Sequence, residues 1–283
     1  MKKILSLVLA LTMLALCVVS FGSCKKKTDW ETIEEKGKFV CGITIYDPMN
    51  YYDANGDLLP DDDGDLIGFD TELAELVAEK LGVEVEFQVI DWGNKYAELQ
   101  SGAIDCIWNG FTSNSKDADG IERSDKVDFT YAYLDNKQCV IVKSERLDEF
   151  TSIASLDDKK AGVESGSAGE SFAQGAGATI EVSKSSQLAV FTDLTSGAVD
   201  FIVVDRLLAD SKVGNGDFAD LAIVEDISIE PEVYSIGCRK GSDFDEKINE
   251  ALLVLLNEGK IEELAAKYSV RITDSFMAMK TEK

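Results

Sequence analysis

Histidine is missing from all 283 residues. Its absence excludes a Ser-His-Asp triad, a Cys-His dyad, an HExxH zinc protease and any His-ligated metal or haem site. Acid–base chemistry near neutral pH would need a carboxylate, lysine or cysteine with a strongly shifted pKa. Positive charge is also scarce: 28 Lys and Arg stand against 53 Asp and Glu, a formal charge of −25. So acidic a chain repels phosphate backbones, which argues against nucleic acid as a partner, and its acidity reads as a solvated surface. No GxxxxGK[ST] phosphate loop and no CxxC pair occur. The acidic run from Asp53 to Asp65 imitates a calcium loop, but Leu58 stands where glycine is required and no glutamate closes the pattern. It reads as a solvated turn, and no metal is expected.

What is present begins with an export signal. Met1-Lys2-Lys3 precedes the apolar run Ile4 to Val19 and a small-residue stretch ending at Gly22-Ser23-Cys24. That is the layout of a signal peptide over residues 1–23, with an apolar stretch too short to span a membrane. Cys24 after Gly-Ser resembles a bacterial lipobox, in which the cysteine is lipidated, although Phe21 replaces the usual aliphatic residue. Residues 24–37 then form a tether, and the basic stub Lys25-Lys26-Lys27 favours anionic headgroups. Loss of Lys2 and Lys3 leaves 26 basic against 53 acidic side chains, or −27. Cys41, Cys106, Cys139 and Cys238 each sit in an apolar, strand-like run and read as buried thiols rather than disulfides.

The chain also repeats itself. ELQSGAIDCIW (residues 98–108) and DLTSGAVDFIV (residues 193–203) share an acid, Leu, Ser-Gly-Ala, an aliphatic residue, Asp and Ile in register. Each reads as a helix end, a glycine stop at Gly102 or Gly197, and a buried strand. Strands are expected near Phe39–Ile45, Val83–Val89 and Ile104–Trp108, then near Lys160–Glu164, Thr179–Val182 and Val199–Val204. A helix over Phe69–Leu81 carries the stripe Leu73, Leu76, Val77 and Leu81, with Asp70 as a possible cap and Gly82 as its stop. Strand–helix–strand order implies two parallel α/β units. Short links between them suggest two Rossmann-like lobes and a cleft where the strands end, with Asn109-Gly110-Phe111-Thr112 on one side and Asp205 on the other.

Further segments match a known pattern: DLIGFDTELAELVAEKLG, DWGNKYAELQSGAID, ERSDKVDFTYAY, AGVESGSAGESF, VDFIVVD and YSIGCRKGSDF, then a closing EALLVLLNEGKIEELAAKY helix pair. In this order, from about Lys38 to Val270, the chain resembles the polar amino-acid substrate-binding proteins of ABC importers, the two-lobed "Venus flytrap" receptors. The resemblance implies lobe 1 over 38–134 plus 236–283, lobe 2 over 135–235, and hinge strands near Leu134–Lys137 and Glu232–Ser235. It implies a free amino acid as ligand and ABC permease and ATPase subunits as partners. The protein would be a monomer held to the membrane by its lipid, facing the periplasm or cell exterior, with no cofactor and no catalysis.

The resemblance also assigns roles. Arg123 would take the ligand carboxylate, the use to which a guanidinium is best suited. Ser167 and Ala168 would add N–H groups at a helix start, though the threonine common at the second position is lost. Asp205 would be the ammonium counter-ion, with Thr112, Asn109 and Gly110 adding hydrogen bonds. Tyr46 and Trp92 would enclose the side chain; Trp108 reads as core. Glu164 would reach the side chain, whereas Ile43 or Thr44, where the family's lysine-type binders carry an acid, argues against a basic ligand. Two departures are the insertion LPDDDGDL and a longer loop, SNSKDADGIE, before Arg123. The alternatives are an enzyme on the same frame, such as a dehydratase, or a sensor for a membrane signalling partner.

Overall fold

A computed structural model describes residues 27–52, 64–117 and 119–281. The signal peptide, Cys24 and residues 53–63 of the acidic run lie outside these residues. The described strands are β1 (Lys38–Ile43), β2 (Tyr51–Tyr52), β3 (Leu66–Ile67), β4 (Glu84–Val89), β5 (Cys106–Ile107), β6 (Val127–Phe129) and β7 (Leu134–Lys143). They continue as β8 (Lys160–Glu164), β9 (Thr179–Lys184), β10 (Phe201–Asp205), β11 (Leu221–Ile223), β12 (Pro231–Tyr234) and β13 (Gly237–Arg239). One sheet has the order β4-β1-β5-β13-β6, and the other β11-β7-β10-β8-β9 with β12 also paired to β7. Each belongs to one lobe of a mixed α/β fold.

The expected parallel units form the centre of each sheet: β1 pairs parallel with β4 and β5, and β8 with β9 and β10. The sheets are not wholly parallel. β13 joins β5 and β6 antiparallel, and β7 runs antiparallel to β10, β11 and β12. These additions lack a strand–helix–strand signature, because the chain reaches them by passing from one sheet to the other. Leu134–Lys137 and Pro231–Tyr234 lie side by side as an antiparallel pair at that passage.

The helix over Phe69–Leu81 forms as expected and buries Leu73 and Val77. Gly82, Gly102 and Gly197 end their helices at φ of 71°, 78° and 78°, a conformation costly for any residue with a Cβ. Asp70 is not a cap, however. Gly68 holds the N-cap position, and the fully buried Asp70 carboxylate instead accepts the Gly110 N–H at 2.8 Å and the Tyr133 hydroxyl at 2.7 Å. It thus reaches inward and fixes the cleft-facing turn.

The repeat has a structural cause. Asp105 donates its N–H to Val40 O and accepts the Val40 N–H on its side chain; Asp200 does the same with Lys160. Each carboxylate then pairs with an arginine, Asp105 with Arg239 at 2.9 Å and Asp200 with Arg146 at 2.8 Å. The aspartate pins the entry of the neighbouring strand, which sets the register of both sheets and aims their far ends at the cleft. Trp108 is fully buried, and the four cysteines are free and buried. Cys41, Cys106 and Cys238 stand abreast on three neighbouring strands.

Candidate functional site

The lobes meet at a narrow, almost completely filled polar cleft. Trp92, Asn109, Gly110, Thr112, Arg123, Glu164, Ser167, Ala168 and Asp205 line it, together with Gln138 and Gln187. Tyr46 stands behind Gly110 and shares a 2.7 Å hydrogen bond between its hydroxyl and that of Tyr234. Gly110 has φ of 54°, and a Cβ there would meet Tyr46 Cε1 at 2.7 Å, so glycine is required. Asn109 is committed to the frame: its amide donates to Thr44 O and Asn50 Oδ1, and its Oδ1 accepts the Thr44 hydroxyl. A wider groove beside Leu66, Ile67 and Lys260 is an open surface feature rimmed by glutamates. It gathers no set of buried polar groups comparable to that of the cleft.

The cleft is closed. Lys212 of the second lobe pairs with Asp47 of the first at 3.0 Å, and the Trp92 N–H reaches Ser185 O at 3.3 Å. At the centre, two cations of the first lobe converge on one carbonyl of the second: Lys95 Nζ donates to Gly166 O at 2.9 Å and Arg123 Nη2 at 3.2 Å.

Arg123 is 1% exposed. Its Nε donates to Asp117 Oδ1 at 3.1 Å and its Nη1 to Thr112 O at 3.0 Å, and its plane lies 5.2 Å from the Phe111 ring centroid. A guanidinium carries five N–H groups, so donors remain for a bound carboxylate. Asp117 comes from the longer loop, closed by a bridge between Lys116 and Glu122. Although burial opposes it, hydrogen bonding from Lys126 and the charge of Arg123 hold the Asp117 carboxyl below its usual range. The insertion before Arg123 therefore supplies its partner.

At the helix Ala168–Gly175, Ser167 is the N-cap and its hydroxyl accepts the Glu170 N–H at 3.0 Å. The Ser167 N–H is not free as expected: it donates to Glu164 O at 3.2 Å, while Glu170 takes the Gly166 N–H at 2.7 Å. The tight turn between strand and helix brings these partners within reach.

The opposite wall is acidic. Asp205 lies opposite Gln138 across β10 and β7, and Glu232 opposite Asn136 across β12 and β7. Positions 136 and 138 share one face of β7, so two amides meet two carboxylates. Gln138 Nε2 donates to Asp205 Oδ1 at 2.5 Å and to Glu232 Oε2 at 2.8 Å. Asn136 Nδ2 bridges the same oxygens at 2.6 and 3.3 Å. Gln187 donates to the other Asp205 oxygen, and the Thr112 hydroxyl to Glu232 at 3.0 Å. Burial raises both carboxyls, Glu232 to about 7 with the Asp205 charge adding to the effect. Glu164 is 2% exposed, its Oε1 has no hydrogen-bond partner, and burial and then Asp205 push its pKa well up. Among the described residues none of these three carboxylates makes an ion pair.

Sequence reading missed Lys95, Gln138, Gln187, Glu232 and Tyr234. Burial and then the charge of Arg123 bring Lys95 down to about 7, and its ammonium lies 4.9 and 4.7 Å from the Trp92 and Tyr96 ring centroids. One signal was available: Asn136 and Gln138, two residues apart, fall on one face of a strand whose second half is apolar. A guanidinium at one end and uncompensated carboxylates at the other complement a zwitterion.

A sequence profile of the bacterial extracellular solute-binding proteins, family 3, matches residues 40–271. The L-cystine-binding protein TcyA of Bacillus subtilis (strain 168) is 25% identical over 276 residues, 94% of this chain and 97% of that protein. The structure of an ancestral arginine-binding protein bound to arginine superposes with a TM-score of 0.71 at 33% identity, over 82% of this chain and 98% of that one. The ancestral amino acid-binding protein AncCDT-1, a precursor of cyclohexadienyl dehydratase, gives a TM-score of 0.71 at 26% identity, over 86% and 99% of the chains. With its profile match spanning both lobes, the chain belongs to the bacterial extracellular solute-binding proteins, family 3.

Proposed function

We propose that the protein is an exported, lipid-anchored, monomeric receptor that captures a polar amino acid between its lobes and delivers it to the permease and ATPase subunits of an ABC importer. The observation that carries this reading is the polarity of the cavity, with buried Arg123 at one end and Asp205 and Glu232, on shared amides, at the other. Arg123 and the helix start at Ala168 take the ligand carboxylate. Asp205 takes the ammonium, with Thr112 and the backbone at Asn109-Gly110 beside it. Trp92 lies against the side chain, Tyr46 backs the Gly110 turn, and Glu164 meets the side chain's donor. The relatives named for arginine and cystine support a polar ligand.

In this reading residues 1–23 are removed and Cys24 is lipidated. Residues 24–37 tether lobe 1 (38–134 and 236–283), and lobe 2 (135–235) closes on it about Leu134–Lys137 and Glu232–Ser235. Ligand groups held from both sides favour the closed form. Binding needs no proton transfer to the ligand, which accords with a chain lacking histidine. Titration calorimetry with each of the twenty amino acids and cystine tests the reading: heat from at least one at micromolar concentration is expected, and none at millimolar concentration overturns it.

A second reading, dehydratase-like catalysis, draws on Glu164, a buried acid with a raised pKa, and on the likeness to AncCDT-1. NMR of the bound ligand separates the two, since a receptor returns it unchanged.

A further inference from the structure

Glu232 was singled out by neither sequence pattern nor the proposed binding roles, yet it occupies the centre of the polar network. It projects from the second strand joining the lobes and links two parts of the site: Thr112 of the first lobe, and Asn136 and Gln138 of β7, which also donate to Asp205. Oε2 of Glu232 and Oδ1 of Asp205 each accept from the same two amide nitrogens. The groups facing the pair are Thr112, Asn136, Gln138 and Gln187, all neutral; Glu164, a third carboxyl that burial and then the Asp205 charge hold protonated to higher pH; and Tyr46 and Tyr234, whose hydroxyls pair with each other. Arg123 acts on Glu232 by charge but is bonded to Asp117, Thr112 O and Gly166 O.

Two buried carboxylates on common donors, without a cation bonded to either, cannot both ionise at low cost. Fixed amides satisfy the carboxylate oxygens but carry no net charge. An amine arriving at Asp205 brings that charge.

We propose that Glu232 is a positioning residue of the amine subsite, and that binding of a ligand ammonium is coupled to loss of one proton shared by the Asp205–Glu232 pair. This rests on the amino-acid receptor reading and deepens it. The ligand ammonium keeps its protons, and the carboxyl proton leaves to solvent. Once both carboxylates are ionised, Glu232 holds the Thr112 hydroxyl and the Gln138 amide in place while Asp205 meets the amine. Because protons compete with the amine, affinity falls as pH drops through the range in which the ligand-free pair takes up its proton, by up to about tenfold per pH unit. The site would then favour ligands that are cationic at the α-amino group and reject N-acylated analogues of the same side chain.

The test is calorimetry on the full-length protein, with each of the twenty amino acids and cystine as probes. Measurements in phosphate and in Tris between pH 6 and 8 separate the heat of buffer protonation from that of binding. The wild type should release up to one proton per bound amino acid. Glu232→Gln should still bind, about tenfold more weakly at pH 8, with less proton release and a flatter pH profile. Lys95, brought down to about 7 by burial, and the raised Glu164 are both retained in the variant, so the difference isolates the contribution of Glu232. Binding with buffer-independent heat, or undiminished proton release in Glu232→Gln, overturns the proposal while leaving the receptor reading intact. Absence of binding by every probe overturns the receptor reading, and the coupling with it. Carboxyl-carbon NMR of the ligand-free protein adds a readout independent of binding and of simple structural loss: Glu232 titration should move when Asp205 is replaced by asparagine. A Glu232 titration curve that ignores Asp205→Asn also sinks the proposal.

Discussion

The two lobes are built alike and charged oppositely. Each centres on parallel strands pinned by the aspartate of the repeat, Asp105 or Asp200, and each sends its strand ends to the cleft. The first lobe brings Arg123 and Lys95 there; the second brings Glu164 and Asp205. The likeness belongs to the frame, and the difference belongs to the loops and strand ends, where function is set. Opposed charge on opposed lobes makes closure and zwitterion binding favour each other, because a ligand with both charges is satisfied only when the lobes are together.

The largest way to break this contrast is Arg123→Ala. It should lower amino-acid affinity by about a thousandfold in calorimetry, because a buried charge loses its partner, while circular dichroism stays native. Asp205→Asn, at the opposite wall, should cost about a hundredfold, since the amide still fills the space and Glu232 remains nearby. The likeness can be broken too. Asp105→Ala should destabilise the fold by about 2 kcal/mol and Asp200→Ala by about 1 kcal/mol in urea unfolding, the Asp105–Arg239 pair being more deeply buried.

The smallest effect expected is a pH dependence. Burial raises Asp70 from 3.8 to about 6, so the folded protein binds this proton more tightly than the unfolded chain. Its stabilising contribution is therefore complete below about pH 4 and is lost as pH rises through 6. Asp70→Asn should gain on the wild type by a few °C of melting temperature between pH 4 and 7, then run parallel to it.

Much of this was legible in the chain. The helix over Phe69–Leu81 and the glycine stops follow from local periodicity and from backbone φ, both written in adjacent residues. Trp92 through Asp205 came together because strand ends converge. Asp70 was misread because an acid in the first turn of a helix usually caps it, whereas here the turn is buried and the carboxylate serves Gly110. The Ser167 N–H was misjudged because a helix start exposes donors unless the preceding strand's carbonyl turns back on them, as Glu164 O does. Glu232 and Gln138 stayed hidden because only the pairing of β7 with both β10 and β12 makes them neighbours. Long-range register of that kind leaves little trace in local sequence.

The buried thiols carry one last consequence. Cys41, Cys106 and Cys238 lie in the first lobe's sheet, and Cys139 in the second's. An alkylating reagent reaches any of them only when its sheet comes apart, so thiol labelling becomes a clock with a separate hand for each lobe. If the lobes unfold as one unit, all four sulfurs will modify at a single rate. If they unfold separately, Cys139 will keep different time from the other three, and an added amino acid that bridges the cleft will bring the two rates together.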